Sequence, residues 1–225
     1  VKRGKRYKKI SELVDKNRTY GLLEAIDIVK KTASAKFDES IDIVFVLDID
    51  LKKAGQSIRG TCILPHGTGK TKKVAVIANP EKQSEAKEAG ADIVGGQETV
   101  EQIVKGDVSF DVLLATPDMM PTLAKLGKIL GPRGLMPSPK TGTVTMDIAK
   151  AVKEAKTGKV ELMVDKLGNI QISVGRASFI REALEENVRT VVDAVNRIKP
   201  LGVKGNFIKK ASIASTMGPG VWVAF

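Results

Sequence analysis

Between Thr19 and Lys31 the apolar residues Leu22, Leu23, Ile26 and Val29 recur at three- and four-residue spacing, which predicts a helix with one buried face. The pattern then changes. Ser40–Asp50 (SIDIVFVLDID) is rich in β-branched residues and predicts a strand, followed by a second strand near Ile58–Leu64. Pro65, Gly67 and Gly69 interrupt the regular pattern.

Beyond this break the style differs. Val74–Ala78 (VAVIA) is a continuous apolar run, as expected of a strand buried on both faces. A helix over Glu81–Ala89 stops at Gly90, and then come a short strand at Ala91–Val94 and a short helix at Thr99–Lys105. Asp111–Ala115 reads as another buried strand, with helix-forming sequence after Pro117 and a last helix over Asp147–Lys156. Alternating strands and helices predict βαβ units and a mainly parallel sheet.

After Gly158 the first style returns. Val160–Val164 and Asn169–Val174 read as two strands joined by a Leu167-Gly168 turn. Ser178 is placed to cap a helix carrying Ile180, Leu184, Val188, Val191, Val195 and Ile198 on one face, and Pro200 ends it. Val203–Ser212 and Val221–Val223 read as final strands. The expected fold is an α+β discontinuous outer domain, residues 1–66 and 158–225, with an inserted α/β three-layer (Rossmann-like) domain at 67–157.

Charge adds a functional clue. The 225 residues carry 37 Lys and Arg against 26 Asp and Glu, a net charge of +11. Such a surplus fits a polyanionic partner and equally fits solubility in a generally basic proteome. The outer segments hold 24 basic and 15 acidic residues, the insert 13 and 11, so a polyanion-binding surface is expected on the outer domain. Lys2, Arg3, Lys5, Arg6, Lys8 and Lys9 form a basic arm, which reads as a nucleic-acid contact or a frayed, solvated end. This start has no apolar core behind it and does not fit a secretory signal, and no stretch approaches the ~20 apolar residues of a membrane helix. A single cysteine, Cys62, excludes an internal disulfide framework and points to a reducing cytoplasm.

Enzyme readings fail on the residues. Gly67-Thr68-Gly69-Lys70-Thr71 resembles the end of a phosphate-binding loop, but Leu64 stands where the first glycine belongs and a strand, not a helix, follows. His66 is the only histidine, so no two-histidine metal site exists, and one cysteine excludes CxxC clusters. Cys62 lies in a predicted strand and reads as a core thiol rather than a nucleophile paired with His66. No GxGxxG follows VAVIA. No cofactor is expected.

Two segments carry binding chemistry. Residues 115–146 are rich in glycine and proline and contain Lys125, Lys128, Arg133 and Lys140, which suits phosphate contact or an ordinary long loop. Ser215–Gly220 (STMGPG) offers two hydroxyls, Met217 and close backbone approach at glycine. On its residues alone it reads as a strand-connecting turn, and Phe37 as a core residue.

The stretches Gly4–Tyr7, Ala35–Ser40, Arg59–Lys70, Glu88–Gly96, Ala115–Met120, Leu126–Val144 and Ser215–Val221 alter this weighing. With them the sequence resembles the L-one family of bacterial large-subunit ribosomal proteins, the family of the mobile stalk beside the tRNA exit site. The resemblance implies two domains, an outer one that binds large-subunit rRNA, and repression of the protein's own messenger RNA. It implies rRNA contacts by Lys36, Phe37, Ser40 and Asp42 on one side and Ser215, Thr216, Met217 and Gly218 on the other. Position 40 is Ser where the family pattern has Thr, and position 42 is Asp where Glu is common. Lys5 and Arg6 of the basic arm add charge. The insert's Lys125, Lys128, Arg133 and Lys140 are expected to reach exit-site tRNA, with a hinge at Gly67, Gly69 and Gly158. The reading is a non-enzymatic protein of the cytoplasmic ribosome, with no membrane contact. A nucleotide- or phosphate-binding enzyme using the α/β insert and a generic DNA-binding protein are the alternatives; the missing fingerprints argue against the first, and the lack of a clear recognition helix against the second.

Overall fold

The computed structural model describes residues 3–49, 59–104, 108–200 and 205–224. The chain falls into two compact units, Val1–Gly69 with Val160–Phe225, and Lys70–Lys159. In chain order the first unit opens with α1 (Lys5–Ser11), β1 (Tyr20–Gly21), α2 (Leu22–Thr32), β2 (Ser40–Leu47) and β3 (Arg59–Ile63). The second unit follows with β4 (Val74–Ile77), α3 (Pro80–Glu88), β5 (Ile93–Gly95), α4 (Gln97–Val104), β6 (Val112–Ala115), α5 (Met120–Ala124), α6 (Gly127–Leu130) and α7 (Ile148–Thr157). β7 (Lys159–Met163) re-enters the first unit, and β8 (Asn169–Arg176), α8 (Arg181–Arg197), β9 (Ile208–Ser215) and β10 (Val221–Ala224) complete it.

The first unit is built on a five-stranded sheet in the order β1-β10-β9-β2-β8, antiparallel except where β1 runs parallel to β10. β2 is its centre. Ile41, Ile43, Phe45 and Leu47 alternate inward along it and are all buried. They meet Ala25, Ile26 and Val29 of α2 and Leu184, Val188, Val191 and Val195 of α8 in one core. A bulge on β8 interrupts the β2–β8 register between Ile41 and Asp42, next to the end of the sheet where the candidate site lies.

In the second unit β5-β4-β6 form a parallel sheet. All four residues of β4 are buried, as a strand covered on both faces requires. Val74 and Val76 pack with Ile148, Val152 and Ala155 of α7 on one side. Ala75 and Ile77 pack with Ile103 of α4, Leu123 of α5 and Leu130 of α6 on the other.

Three local expectations change. Segment 115–146 is less irregular than its glycines and prolines suggest, because Met119, Leu123, Leu126 and Leu130 are buried at helical spacing and order two short helices. Ser178 does not cap α8. Ile180 is the N-cap residue and is exposed, while the N–H and hydroxyl of Ser178 donate to the Asp38 carboxylate at 3.1 and 2.8 Å. β7 pairs with β3 in a separate two-stranded sheet and joins the β8 side through a single Val164–Ile170 bridge. Asp165 explains the turn between them, since its carboxylate accepts the N–H groups of Leu167 and Asn169, both at 2.8 Å. Lys2, Asp50, Ile58, Lys105 and residues 203–204, which the expected elements or basic arm include, lie outside the described residues.

Candidate nucleic-acid interface

β2 and β9 are antiparallel neighbours, with Ile41 opposite Ser215. The segment entering β2 and the segment leaving β9 therefore emerge at the same end of the sheet. They are bonded directly. Thr216 N–H donates to the Ser40 carbonyl at 3.0 Å, and Ser40 N–H donates to Thr216 Oγ1 at 3.1 Å. The Thr216 hydroxyl also donates to the Ser40 carbonyl at 3.3 Å.

Beneath these segments sits Glu39, buried at 1% exposure. Its carboxylate accepts Ala35 N–H at 2.8 Å with one oxygen and Met217 N–H at 3.0 Å with the other. Burial of this carboxyl raises its pKa. The backbone donors at Met217 and Ala35, the Ser215 hydroxyl and the charge of Arg6 outweigh that and hold it below the ordinary 4.5. Arg6, on α1, adds a second tie, donating to Ser34 Oγ at 2.9 Å and to the Met217 carbonyl at 3.1 Å. Arg176 donates to the Asp38 carbonyl at 2.8 Å.

This framework displays side chains it does not use. Phe37 is 55% exposed and Met217 49% exposed, so neither belongs to the core, and the residue-type reading of Phe37 is overturned. Lys36 and Thr216 are exposed, while Ser40, Asp42 and Gly218 are half-buried. Ser215 departs from expectation. Its side chain is buried as the last inward residue of β9, beneath the turn. Gly218 N–H closes that turn on the Ser215 carbonyl at 3.1 Å. A Cβ on Gly218 would stand 2.4 Å from Ser215 Oγ, so any larger residue there must displace that hydroxyl. Lys5 is exposed within α1, which makes the basic arm partly helical rather than frayed. The charge expected of Arg6 is partly spent on holding the loops.

Glu39, the structural role of Arg6, and Arg176 are the residues that sequence reading missed. For Glu39 a signal existed, because it continues the inward phase of Ile41, Ile43, Phe45 and Leu47. A carboxylate at an inward position needs buried donors.

The remaining expected residues are placed elsewhere. Lys125, Lys128, Arg133 and Lys140 are exposed on the second unit. Gly67, Gly69 and Gly158 have φ of 65°, 71° and 119°. The Gly67 carbonyl accepts Asn187 Nδ2 at 3.1 Å, a Cβ on Gly69 would meet Arg176 Cγ at 2.7 Å, and Gly158 caps α7. Cys62 is buried on β3, and burial pushes its thiol pKa up, with Arg197 opposing. His66 bonds Glu186 at 2.6 Å. No cluster of metal-ligating side chains occurs among the described residues.

The sequence model of the ribosomal protein L1p/L10e family matches residues 29–219. The chain belongs to this family. The large ribosomal subunit protein uL1 of Thermosipho africanus (strain TCF52B) is 55% identical over 223 residues, 99% of this chain and 96% of that protein. The large ribosomal subunit protein uL1 of Fervidobacterium nodosum (strain ATCC 35602 / DSM 5306 / Rt17-B1) is 54% identical over 221 residues, 98% of this chain and 94% of that protein. The family resemblance read from the motifs is therefore correct. The L1p/L10e family is one of structural ribosomal proteins, not enzymes, and the nucleotide- or phosphate-binding-enzyme reading is set aside. The matched span contains both loop segments, 34–42 and 215–218, whereas α1 with Lys5 and Arg6 precedes it.

Proposed function

We propose that the chain is a structural constituent of the large ribosomal subunit and that its first unit, a discontinuous rRNA-binding domain around an inserted α/β domain, grips large-subunit rRNA through the surface carried by Glu39. The observation that supports this most is the exposure of Phe37 and Met217 on two segments tied to one buried carboxylate. Apolar side chains held rigidly at a surface suit packing on riboses or an unstacked base, and Asp42 and Thr216 suit 2′-hydroxyl groups, which separate RNA from DNA. Thr216 has already used its proton, so it reads RNA as an acceptor. Lys36 and Lys5 supply phosphate charge.

In this reading the second unit turns Lys125, Lys128, Arg133 and Lys140 toward exit-site tRNA and assists its release. The same rRNA-binding surface takes a mimic of its site in the protein's own messenger and represses translation. Gly67, Gly69 and Gly158, beside the two chain crossings at 69/70 and 159/160, supply the hinge. The work takes place on the cytoplasmic ribosome. No helix among the described residues is long and apolar enough to cross a membrane.

The test is binding of the full chain to large-subunit rRNA fragments and to DNA of matching sequence across a salt series. The reading expects one rRNA fragment to bind far more tightly than its DNA counterpart, with affinity falling steeply as salt rises. Equal affinity for both would overturn it.

A further inference from the structure

A cavity of about 870 Å³ opens at the other end of β9, about 20 Å from Ser215 at ~3.4 Å per residue. Its walls are the loop around Lys16–Thr19, the start of β9, β10 and the C-terminal half of α8. Four cations line it, Lys16, Arg18, Lys209 and Lys210, and no lining residue is acidic. Arg18 and Lys209 are paired with Glu24 at 3.2 Å and Asp48 at 2.8 Å. Lys16 and Lys210 have no carboxylate partner among the described residues. Lys210 instead places Nζ 5.6 Å from the ring centroid of Trp222.

Trp222 is the informative member. Its neighbours Val221 and Val223 point into the core and are buried, so the alternation of β10 turns the indole to the opposite side, where it is half-buried. An indole whose face carries Lys210, beside the unpaired ammonium of Lys16 and in a cavity of ligand size, has the chemistry of a base-stacking site in which the entering base displaces Lys210 from the ring toward its own phosphate. A base inside a duplex cannot present its face, so the occupant must be unpaired.

We propose that this cavity binds one unpaired nucleotide, its base against Trp222 and its phosphate against Lys16 and Lys210. The occupant is either a nucleotide of single-stranded RNA or a free nucleotide. The site uses none of the residues of the rRNA surface proposed above and does not depend on that reading.

Trp222 is the sole tryptophan, so its fluorescence reports on this site alone. The full chain is titrated with single-stranded octa-adenylate RNA, with adenosine 5′-monophosphate, and with an RNA duplex of equal length. Saturable quenching by the octamer or the monophosphate is expected, and the tighter of the two names the source. The Lys16→Ala/Lys210→Ala variant should weaken that binding roughly tenfold. Both lysines are exposed, and unchanged circular dichroism verifies that this variant folds. Phe37→Ala/Met217→Ala should leave the quenching intact, which separates this proposal from the rRNA reading. Absence of quenching by both single-stranded probes, equal quenching by the duplex, or quenching unchanged in the double-lysine variant would overturn the proposal.

Discussion

Glu39 shows how a residue with no exposed surface governs an exposed one. Its lowered pKa means that the ionised form stabilises the fold above pH 4.5, and that this contribution is lost as pH falls through the lower folded-state value. Glu39→Gln removes it at every pH. The variant should lose about 1.5–3 kcal/mol near neutrality, as for hydrogen bonds to a charged group, and the gap from wild type should close on acidification. Urea unfolding at pH 7, 4.5 and 3 measures it, and a gap independent of pH would show that the charge is immaterial. Lys5 and Arg6 of α1 should separate in the same way. Lys5→Ala removes charge only and should weaken cognate and non-cognate RNA alike, with a slightly shallower salt slope. Arg6→Lys keeps the charge but cannot fork to both Ser34 and Met217, so it should weaken cognate RNA preferentially. Comparative affinities of the two variants on both RNAs check this.

At the scale of elements, the turn leaving β9 yields the sharpest expectation. Gly218→Ala brings a methyl against Ser215 Oγ and should displace Met217, weakening rRNA binding severalfold. Ser215→Ala in the same chain removes the clashing atom and should restore much of the loss; a double variant no better than the single would place the strain elsewhere. The long elements were legible because their periods are strong, as in the inward alternation of β2 and the apolar face of α8. What was hidden depends on partners distant in sequence. β1 has two residues, and it exists because Tyr20 and Gly21 pair with Val223 and Ala224 from the far end of the chain. β7 follows β3 rather than β8, and Ser178 bonds Asp38 rather than capping a helix, for the same reason. The site divided likewise. The motifs marked its two segments, but residue type alone put Phe37 in the core, and the burial of Ser215 follows from the inward phase of β9, which its residue type does not announce.

At the scale of the molecule, rRNA falls to the first unit and tRNA to the second under the function proposed above. Changing Lys125, Lys128, Arg133 and Lys140 together to alanine should slow exit of deacylated tRNA from ribosomes while leaving assembly of the protein onto rRNA unchanged. All four are exposed, so the fold should tolerate the change. Release kinetics with reconstituted ribosomes measure this, and an unchanged rate would remove the second unit from tRNA release. The most direct measurement for the central claim compares that fourfold variant with Phe37→Ala/Met217→Ala on the cognate large-subunit rRNA fragment and on an unrelated RNA, at one fixed salt concentration. The account predicts that the fourfold variant binds cognate rRNA as wild type does. It predicts that the Phe37/Met217 variant, equally stable to heat, loses about tenfold on cognate rRNA through about 1.4 kcal/mol of lost contact, and little on the unrelated RNA. Cognate binding lost in the fourfold variant and kept in the Phe37/Met217 variant would contradict it.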